Sequence, residues 1–440
     1  YNRTFSKTEA FLNSRGSGKS ITGAMDLRDF VDQLERPRRI LIMVKAGSPT
    51  DAVINQISPF LEEGDLLIDG GNSQFTDTER RVAELEKKSF GYIGMGVSGG
   101  AKGALEGPSM MPGGTRTSFN AIKPLLSKMA AQVEDGPCVT YIGPGGSGHF
   151  VKTVHNGIEY GIEQILAESY DLMKRVCGMQ GDEIADVMAY WNETEELSSY
   201  LVEITEACMR VKDPLDSTNV VEKIMDKAGQ KGTGLWTVIS ALELGASVPT
   251  IYASLNARVM SSMKPQRIQA ESILNRPETH YLDFGNPSDG MKPLMDAVVL
   301  ATMASYAQGM ELMRCASAEY NYKLHMPSIA QIWKGGCIIR SRLLRRIQDA
   351  YNLDPQLPNL LLDPWFTQQV IRRLPGLAKV VSGAALVGVP VPCLSSTLDY
   401  INSYRTARLP QNLVQAMRDC FGSHTYERVD KEGVFHTEWL

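Results

Sequence analysis

The 440-residue sequence is poor in the features that mark most special classes of protein. It has no CxxC pair, and its seven cysteines, at 138, 177, 208, 315, 337, 393 and 420, are scattered and odd in number. That excludes a disulfide framework and points to reduced thiols. The six histidines are dispersed, and His149 and His155 do not share a helix face, so no metal centre is expected. No apolar run approaches the ~20 residues of a membrane span, so no membrane partner is expected. Basic excess is missing too. Lys and Arg total 45 against 50 Asp and Glu, a formal charge of −5, which excludes a general nucleic-acid binder. The opening Tyr1-Asn2-Arg3-Thr4 has neither a methionine nor a signal segment, and Glu438-Trp439-Leu440 is no peroxisomal address. The expected compartment is cytoplasmic, with a targeting segment upstream of Tyr1 left open.

What is present is an ordinary globular balance, 43% hydrophobic and 22% charged, enough for a sizeable core. At ~150 residues per domain the length predicts two or three domains. Short apolar runs at Ile40–Val44, Leu66–Asp69, Phe90–Ile93 and Val139–Ile142 read as strands. Helical patterns at about 50–62, 75–88 and 117–132 separate them, the signature of a parallel sheet covered on both faces. The runs are expected to end in glycine-rich or polar turns, Lys45-Ala46-Gly47, Gly70-Gly71-Asn72-Ser73 and Gly94–Gly100. Ligands of open α/β sheets bind beyond such strand ends. After residue 148 long helical patterns follow, and 405–440 reads as an arm. Lys152–Asn156 echoes Lys292–Asp296 and Ala189-Tyr190-Trp191 echoes Gln331-Ile332-Trp333, near a common offset, so the helical part reads as duplicated.

The strongest chemical signal is the helix that begins near His149. Lys152, His155, Asn156, Glu159 and Tyr160 fall at i, i+3, i+4, i+7 and i+8, on one face. A buried stripe at that spacing should be apolar. The echo provides a control, because Met295, Val299 and Leu300 stand where His155, Glu159 and Tyr160 do. Lys152 and Glu159 lie roughly 10 Å apart along the axis, room for a small substrate between a base and an acid. Glu163 is a competing acid on that face, ranked lower as a packing or surface residue. Gly143–Gly148 matches GxGxxG but lacks a following strand, and reads as a hinge into the helix. Arg15–Ser20 lacks both the leading glycine and the strand of a phosphate loop. Lys231-Gly232-Thr233-Gly234, Arg258, Arg418 and His424 are cations near small residues, suited to an anion. Arg3 taken alone reads as a chance arginine at a chain end; in an NADP-binding domain an arginine near the end of the second strand would meet the 2′-phosphate with its planar fork.

Together, Asn2-Arg3-Thr4, Val44-Lys45-Ala46-Gly47, Asp69–Ser73, Gly94–Gly100, Gly107–Gly114, Gly148–Lys152, His155–Tyr160, Lys231–Gly234 and Arg418–Gly422 resemble the 6-phosphogluconate dehydrogenase family over nearly the whole chain. The resemblance implies a Rossmann-like NADP-binding domain at 1–148, a duplicated helical substrate and dimerisation domain at 149–404, and a tail at 405–440 that reaches a partner subunit. It implies oxidative decarboxylation of 6-phosphogluconate by NADP⁺ to ribulose 5-phosphate, without a metal, in the pentose phosphate pathway. Lys152 would be the general base and Glu159 the acid. Asn72, Ser98, Gly99, Gly100, His155 and Asn156 would hold the sugar acid. Tyr160, Lys231, Thr233 and Arg258 would hold its phosphate, completed by Arg418 and His424 from the other subunit of a homodimer. Asn2, Arg3, Thr4, Val44, Lys45, Ala46 and Asn72 would line the coenzyme, with Arg3 and Thr4 on its 2′-phosphate.

Two departures stand out. Members carry a first strand and a GxGxxG loop about thirty residues before Asn-Arg-Thr. The sequence holds neither, so the coenzyme domain is expected to be incomplete at its N-terminal side. Ala101-Lys102 stands where members often have two glutamates, which bears on nicotinamide positioning. The competing readings are a catalytically silent relative that only dimerises or binds ligand, and another β-hydroxyacid dehydrogenase.

Overall fold

A computed structural model describes residues 1–230, 232–274 and 284–440. Four strands form one sheet in the order β1 (Arg39–Ile42), β2 (Leu66–Asp69), β3 (Gly91–Ser98) and β4 (Ser109–Gly114). The first three run parallel and β4 runs antiparallel to β3. Alternation along the strands assigns the two faces. Ile40, Ile42, Leu67 and Tyr92 join one apolar cluster with Ile54, Ile57 and Val82. Leu66, Ile68, Ile93 and Met95 join another with Phe119, Ile122 and Leu126. Helices Ser48–Ile57, Phe75–Glu86 and Arg116–Met129 cover the sheet, close to the expected spans.

Two expectations fail here. Val139–Ile142 is not a strand of the sheet. It is an extended segment tied to β4 by isolated parallel bridges, Met110 to Val139 and Gly113 to Gly143. The strand in its place is β4, whose Met110-Met111-Pro112-Gly113-Gly114 carries residues depleted in strands. All six of its positions are buried, so tertiary packing overrides propensity. The run from Gly94 to Gly100 is likewise no turn as a whole, because β3 continues to Ser98. Only Gly99 and Gly100, at φ 123° and 60°, make the turn into helix Gly100–Glu106.

Beyond the sheet the chain is helical. Two long helices, Ser147–Arg175 (the site helix) and Lys292–Glu319 (the mirror helix), pack against each other at the centre of the largest core cluster. Lys174 and Arg175 close the site helix, where cations complement its dipole. Among the described residues no helix is long and apolar enough to cross a membrane. The arm at its end holds helix Gln411–Gly422 and a small hairpin pairing Tyr426–Glu427 with Val434–Phe435.

Candidate active site

The site helix is anchored at its start. The Gly146 N–H donates to Glu79 Oε1 at 2.7 Å, and the Tyr322 hydroxyl donates to the same oxygen at 2.8 Å. A carboxylate at a helix N-terminus satisfies an orphan N–H and complements the dipole. The expected hinge at 143–148 is therefore a clamped junction. The helix then lies against β3, where glycines permit the approach. A Cβ on Gly96 would collide with the Cβ of Lys152, and one on Gly94 with the side chains of Thr78 and His149. His149 is itself buried, with Nδ1 2.7 Å from the Thr78 hydroxyl.

The polar stripe is buried as a connected network. Lys152 is only 6% exposed, and its Nζ donates to Asn156 Oδ1 at 2.7 Å. Because lysine can only donate, the amide oxygen faces it, and the His155 Nδ1–H donates to the same oxygen at 3.1 Å. His155 Nε2 is then the acceptor for the Ser98 hydroxyl, 3.2 Å away. Asn156 Nδ2 donates to Thr233 Oγ1 at 2.9 Å. Glu159 lies across from His155, Oε2 to Nδ1 3.6 Å, and keeps 18% of its side chain exposed. Ser98, His155, Asn156, Lys152 and Thr233 thus converge from β3, the site helix and the start of helix Thr233–Glu243.

Electrostatics separates the groups. Burial lowers the Lys152 pKa, opposed by the nearby Glu159 carboxylate. Burial raises Glu159 to about 7, with Lys152 and Arg258 pulling it down and Glu163 pushing it up. Desolvation and the adjacent Lys152 charge hold His155 well below its usual value, so the imidazole is neutral. Glu159 is thereby placed to release or take a proton near neutral pH, and burial weakens the charged form of Lys152.

Of the phosphate candidates, Tyr160 and Arg258 meet one turn further on. The Arg258 guanidinium stacks over the Tyr160 ring, 3.6 Å from its centroid, and Nη1 donates to Gly229 O at 2.8 Å. Its Nη2 pairs with Glu163, which assigns that acid to orienting Arg258 rather than to packing. Lys231 lies outside the described residues. Asn72 is exposed beyond β2, and Gly100 is exposed at the turn after β3. Arg418 and His424 lie on the exposed arm; within the chain Arg418 donates to Gln415 Oε1 at 3.0 Å.

Val44, Lys45 and Ala46 follow β1 and lead into helix Ser48–Ile57. Its cap, Gly47, has φ 85° and nothing within 4 Å of where a Cβ would be. Lys45 and Asn72 are exposed, beyond the carboxyl ends of β1 and β2 where an open α/β sheet takes a dinucleotide. These residues fit a phosphorylated coenzyme. Asn2, Arg3 and Thr4 are exposed ahead of helix Phe5–Leu12, with the Thr4 N–H donating to Asn2 Oδ1 at 3.0 Å.

Sequence reasoning missed three contributors. Trp333 meets the His155 ring edge-on at 5.6 Å. Cys337, fully buried, has its thiol pushed up to about 12 by desolvation, with the Lys152 charge opposing. Gly96 sets the distance of Lys152 from the sheet. The Trp333 echo of Trp191 was a visible signal, and Gly96 stood in the Gly94–Gly100 run with its role misread; Cys337 had no signal.

Residues 148–439 match the family described as 6-phosphogluconate dehydrogenase, C-terminal domain, and residues 1–143 match the NAD binding domain of 6-phosphogluconate dehydrogenase. A decarboxylating 6-phosphogluconate dehydrogenase of Synechococcus elongatus is 55% identical over all of this chain and 93% of that protein. The NADP(+)-dependent, decarboxylating enzyme of Bacillus subtilis is 50% identical over all of this chain and 93% of its own length. The solved 6-phosphogluconate dehydrogenase of Plasmodium falciparum, studied apo, with NADP+ and with 6-phosphogluconate, superposes with a TM-score of 0.96 at 42% identity, covering 100% of this chain and 94% of that one. By sequence along the chain and by fold alike, the chain belongs to the 6-phosphogluconate dehydrogenase family.

Proposed function

We propose that the protein oxidatively decarboxylates 6-phosphogluconate to ribulose 5-phosphate and carbon dioxide, with NADP⁺ as oxidant, in the pentose phosphate pathway. The observation that carries this reading is the buried lysine and the near-neutral glutamic acid on one helix face, joined through Asn156 and His155. Bound NADP⁺ supplies the hydride acceptor. Lys152, its charged form weakened by burial, takes the proton of the C3 hydroxyl as that carbon becomes a ketone. The resulting Lys152 ammonium returns the proton to the C3 oxygen as the C1 carboxylate leaves as carbon dioxide, giving an enediol. Glu159 then protonates the former C2, and Lys152 takes back the hydroxyl proton as the C2 ketone of ribulose 5-phosphate forms. The network also fixes the ends of the substrate. Ser98, Gly99, Gly100, Asn72, His155 and Asn156 hold the sugar acid. Tyr160, Thr233 and Arg258 face its phosphate, with Lys231 the neighbouring candidate.

Coenzyme selectivity falls to Arg3 and Thr4, whose exposed guanidinium and hydroxyl suit a 2′-phosphate, with Asn2, Val44, Lys45 and Ala46 beside them. The working division is a coenzyme domain at 1–148, a helical domain at 149–404 and an arm at 405–440. On the arm, Leu413, Val414, Met417 and Phe421 form one exposed apolar face, which supports docking on a second subunit of a homodimer. That docking would bring Arg418 and His424 to the partner's phosphate end. A cytoplasmic, reducing setting fits cysteines that form no disulfide among the described residues.

The test is stoichiometry. With 6-phosphogluconate and NADP⁺ the protein should release NADPH, carbon dioxide and ribulose 5-phosphate in equal amounts. NADPH without carbon dioxide, or no turnover, overturns the reading.

A further inference from the structure

The arm from 405 to 440 is mostly exposed, with a few half-buried residues. Asp419 is its single buried residue, at 0% exposure. A carboxylate buried without partners is costly, so its partners state its role. Oδ1 accepts the Thr425 N–H at 2.9 Å and lies 2.8 Å from His436 Nδ1. Oδ2 accepts the Thr437 N–H at 3.1 Å and the Trp439 indole N–H at 2.8 Å. The Ser423 N–H donates to the Asp419 backbone carbonyl at 2.8 Å. One side chain therefore ties the end of helix Gln411–Gly422 to donors spread from 425 to 439.

The residues held this way flank the arm's two phosphate candidates. Arg418 precedes Asp419. His424 sits between Ser423 and Thr425, which both adopt left-handed backbone at φ 49° and 58°. Such conformations persist in ordinary residues only where the surroundings enforce them, and they cluster at functional sites. Here the enforcing contacts are the bonds from both residues to Asp419. Burial alone would raise the Asp419 carboxyl, but the bonds from His436, Trp439, Thr437 and Thr425 outweigh it and hold the acid ionised well below the usual range. The knot therefore persists across physiological pH.

We propose that Asp419 is a positioning residue for substrate phosphate: it knots the arm's terminal segment onto the preceding helix so that Arg418 and His424 are presented together, in fixed relative orientation. The inference rests on the reading that Arg418 and His424 bind that phosphate. Asp419 itself touches no substrate. Its effect belongs in the Michaelis constant for the phosphorylated substrate, not in the hydride or proton transfers.

The test compares Asp419→Asn, Arg418→Ala and the double variant in the full-length dimer. Asparagine keeps one acceptor oxygen and loses the other. Asp419→Asn should raise the KM for 6-phosphogluconate about tenfold, the equivalent of one lost charge-assisted bond. It should weaken competitive inhibition by inorganic phosphate in parallel, with kcat and the KM for NADP⁺ within about twofold. The double variant should be scarcely worse than Arg418→Ala, because both changes act through one site. If Arg418→Ala raises KM while Asp419→Asn does not, the positioning role is overturned and the phosphate reading stands. If Arg418→Ala leaves KM unchanged, the phosphate reading fails and takes this inference with it. If Asp419→Asn lowers kcat, raises both KM values and dissociates the dimer, Asp419 is a structural residue only and the proposal is overturned. Should that variant not fold, Trp439→Phe removes a single donor. It should raise the KM for 6-phosphogluconate alone, by a smaller factor, and an unchanged KM overturns the proposal.

Discussion

The site helix and the mirror helix begin with the same device and end in different chemistry. Lys152 donates to Asn156 four residues on, and Lys292 pairs with Asp296 at the same spacing. Beyond that pair they diverge. His155 connects to Ser98 of strand β3 and Asn156 to Thr233, while Met295 and Val299 are packed in the core. Asp296 also pairs with Arg373, a buried guanidinium that also meets Glu196, so the mirror position is closed by protein charge. A long helix at this depth is thus well served by apolar groups. On the proposed mechanism, the polar stripe of the site helix should cost stability and is kept for what it does to a substrate.

The sharpest way to break this comparison is to remove each lysine. Lys152→Met should lower kcat by about 10³-fold, the loss of a general base, while NADP⁺ affinity is retained. Lys292→Met, at a side chain half exposed, should leave kcat within about twofold and cost under about 1 kcal/mol by thermal unfolding. Equal activity losses would erase the distinction between the helices. Next in size, Glu159→Gln should lower kcat about 10²-fold. A group of pKa about 7 that must be protonated to act makes kcat fall as pH rises above neutrality, and the glutamine variant should lose that dependence. A pH–rate profile with an unchanged alkaline limb would contradict the assignment.

Stability sharpens the same contrast. Transplanting mirror residues as His155→Met with Glu159→Val should raise unfolding free energy by about 1–3 kcal/mol while abolishing turnover. A destabilised double variant in denaturant melts would show that the polar stripe supports the fold. The sign for Glu159 follows from linkage. Its folded pKa lies above the ordinary 4.5, so the native state binds more protons between about 4.5 and 7 and this group's contribution falls as pH rises through that window. The glutamine variant should show a shallower decline there. Smallest in chemistry but instructive in mechanism, Gly96→Ala should cost ~1–3 kcal/mol and displace Lys152, because no space exists for the methyl group. An alanine that is accommodated with normal kcat would remove Gly96 from the account.

Much of this was legible in the chain. The helix periodicity placed five polar side chains on one face; three of them form the hydrogen-bonded network, and Glu159 lies 3.6 Å from His155. The parallel strands were readable because continuous apolar runs are what a doubly covered strand needs. The strand at 109–114 was not, since a proline and two glycines argue against any strand until burial on both sides is known. Glycines 94 and 96 were misplaced in a turn because sequence alone does not distinguish a glycine that bends from one that admits a neighbour. The Arg258–Glu163 pair joins residues far apart in sequence, and Asp419 looks like any solvated acid until its donors fold over it.

The central claim is that Glu159 delivers the final proton inside the site that Lys152 serves. Turnover of 6-phosphogluconate in deuterium oxide, with the product examined by NMR, tests it most directly. The native protein should place one deuterium at C1 of ribulose 5-phosphate in a single configuration, and Glu159→Gln should give slow, configurationally mixed incorporation. A single configuration formed at the native rate without the glutamate carboxyl would contradict it.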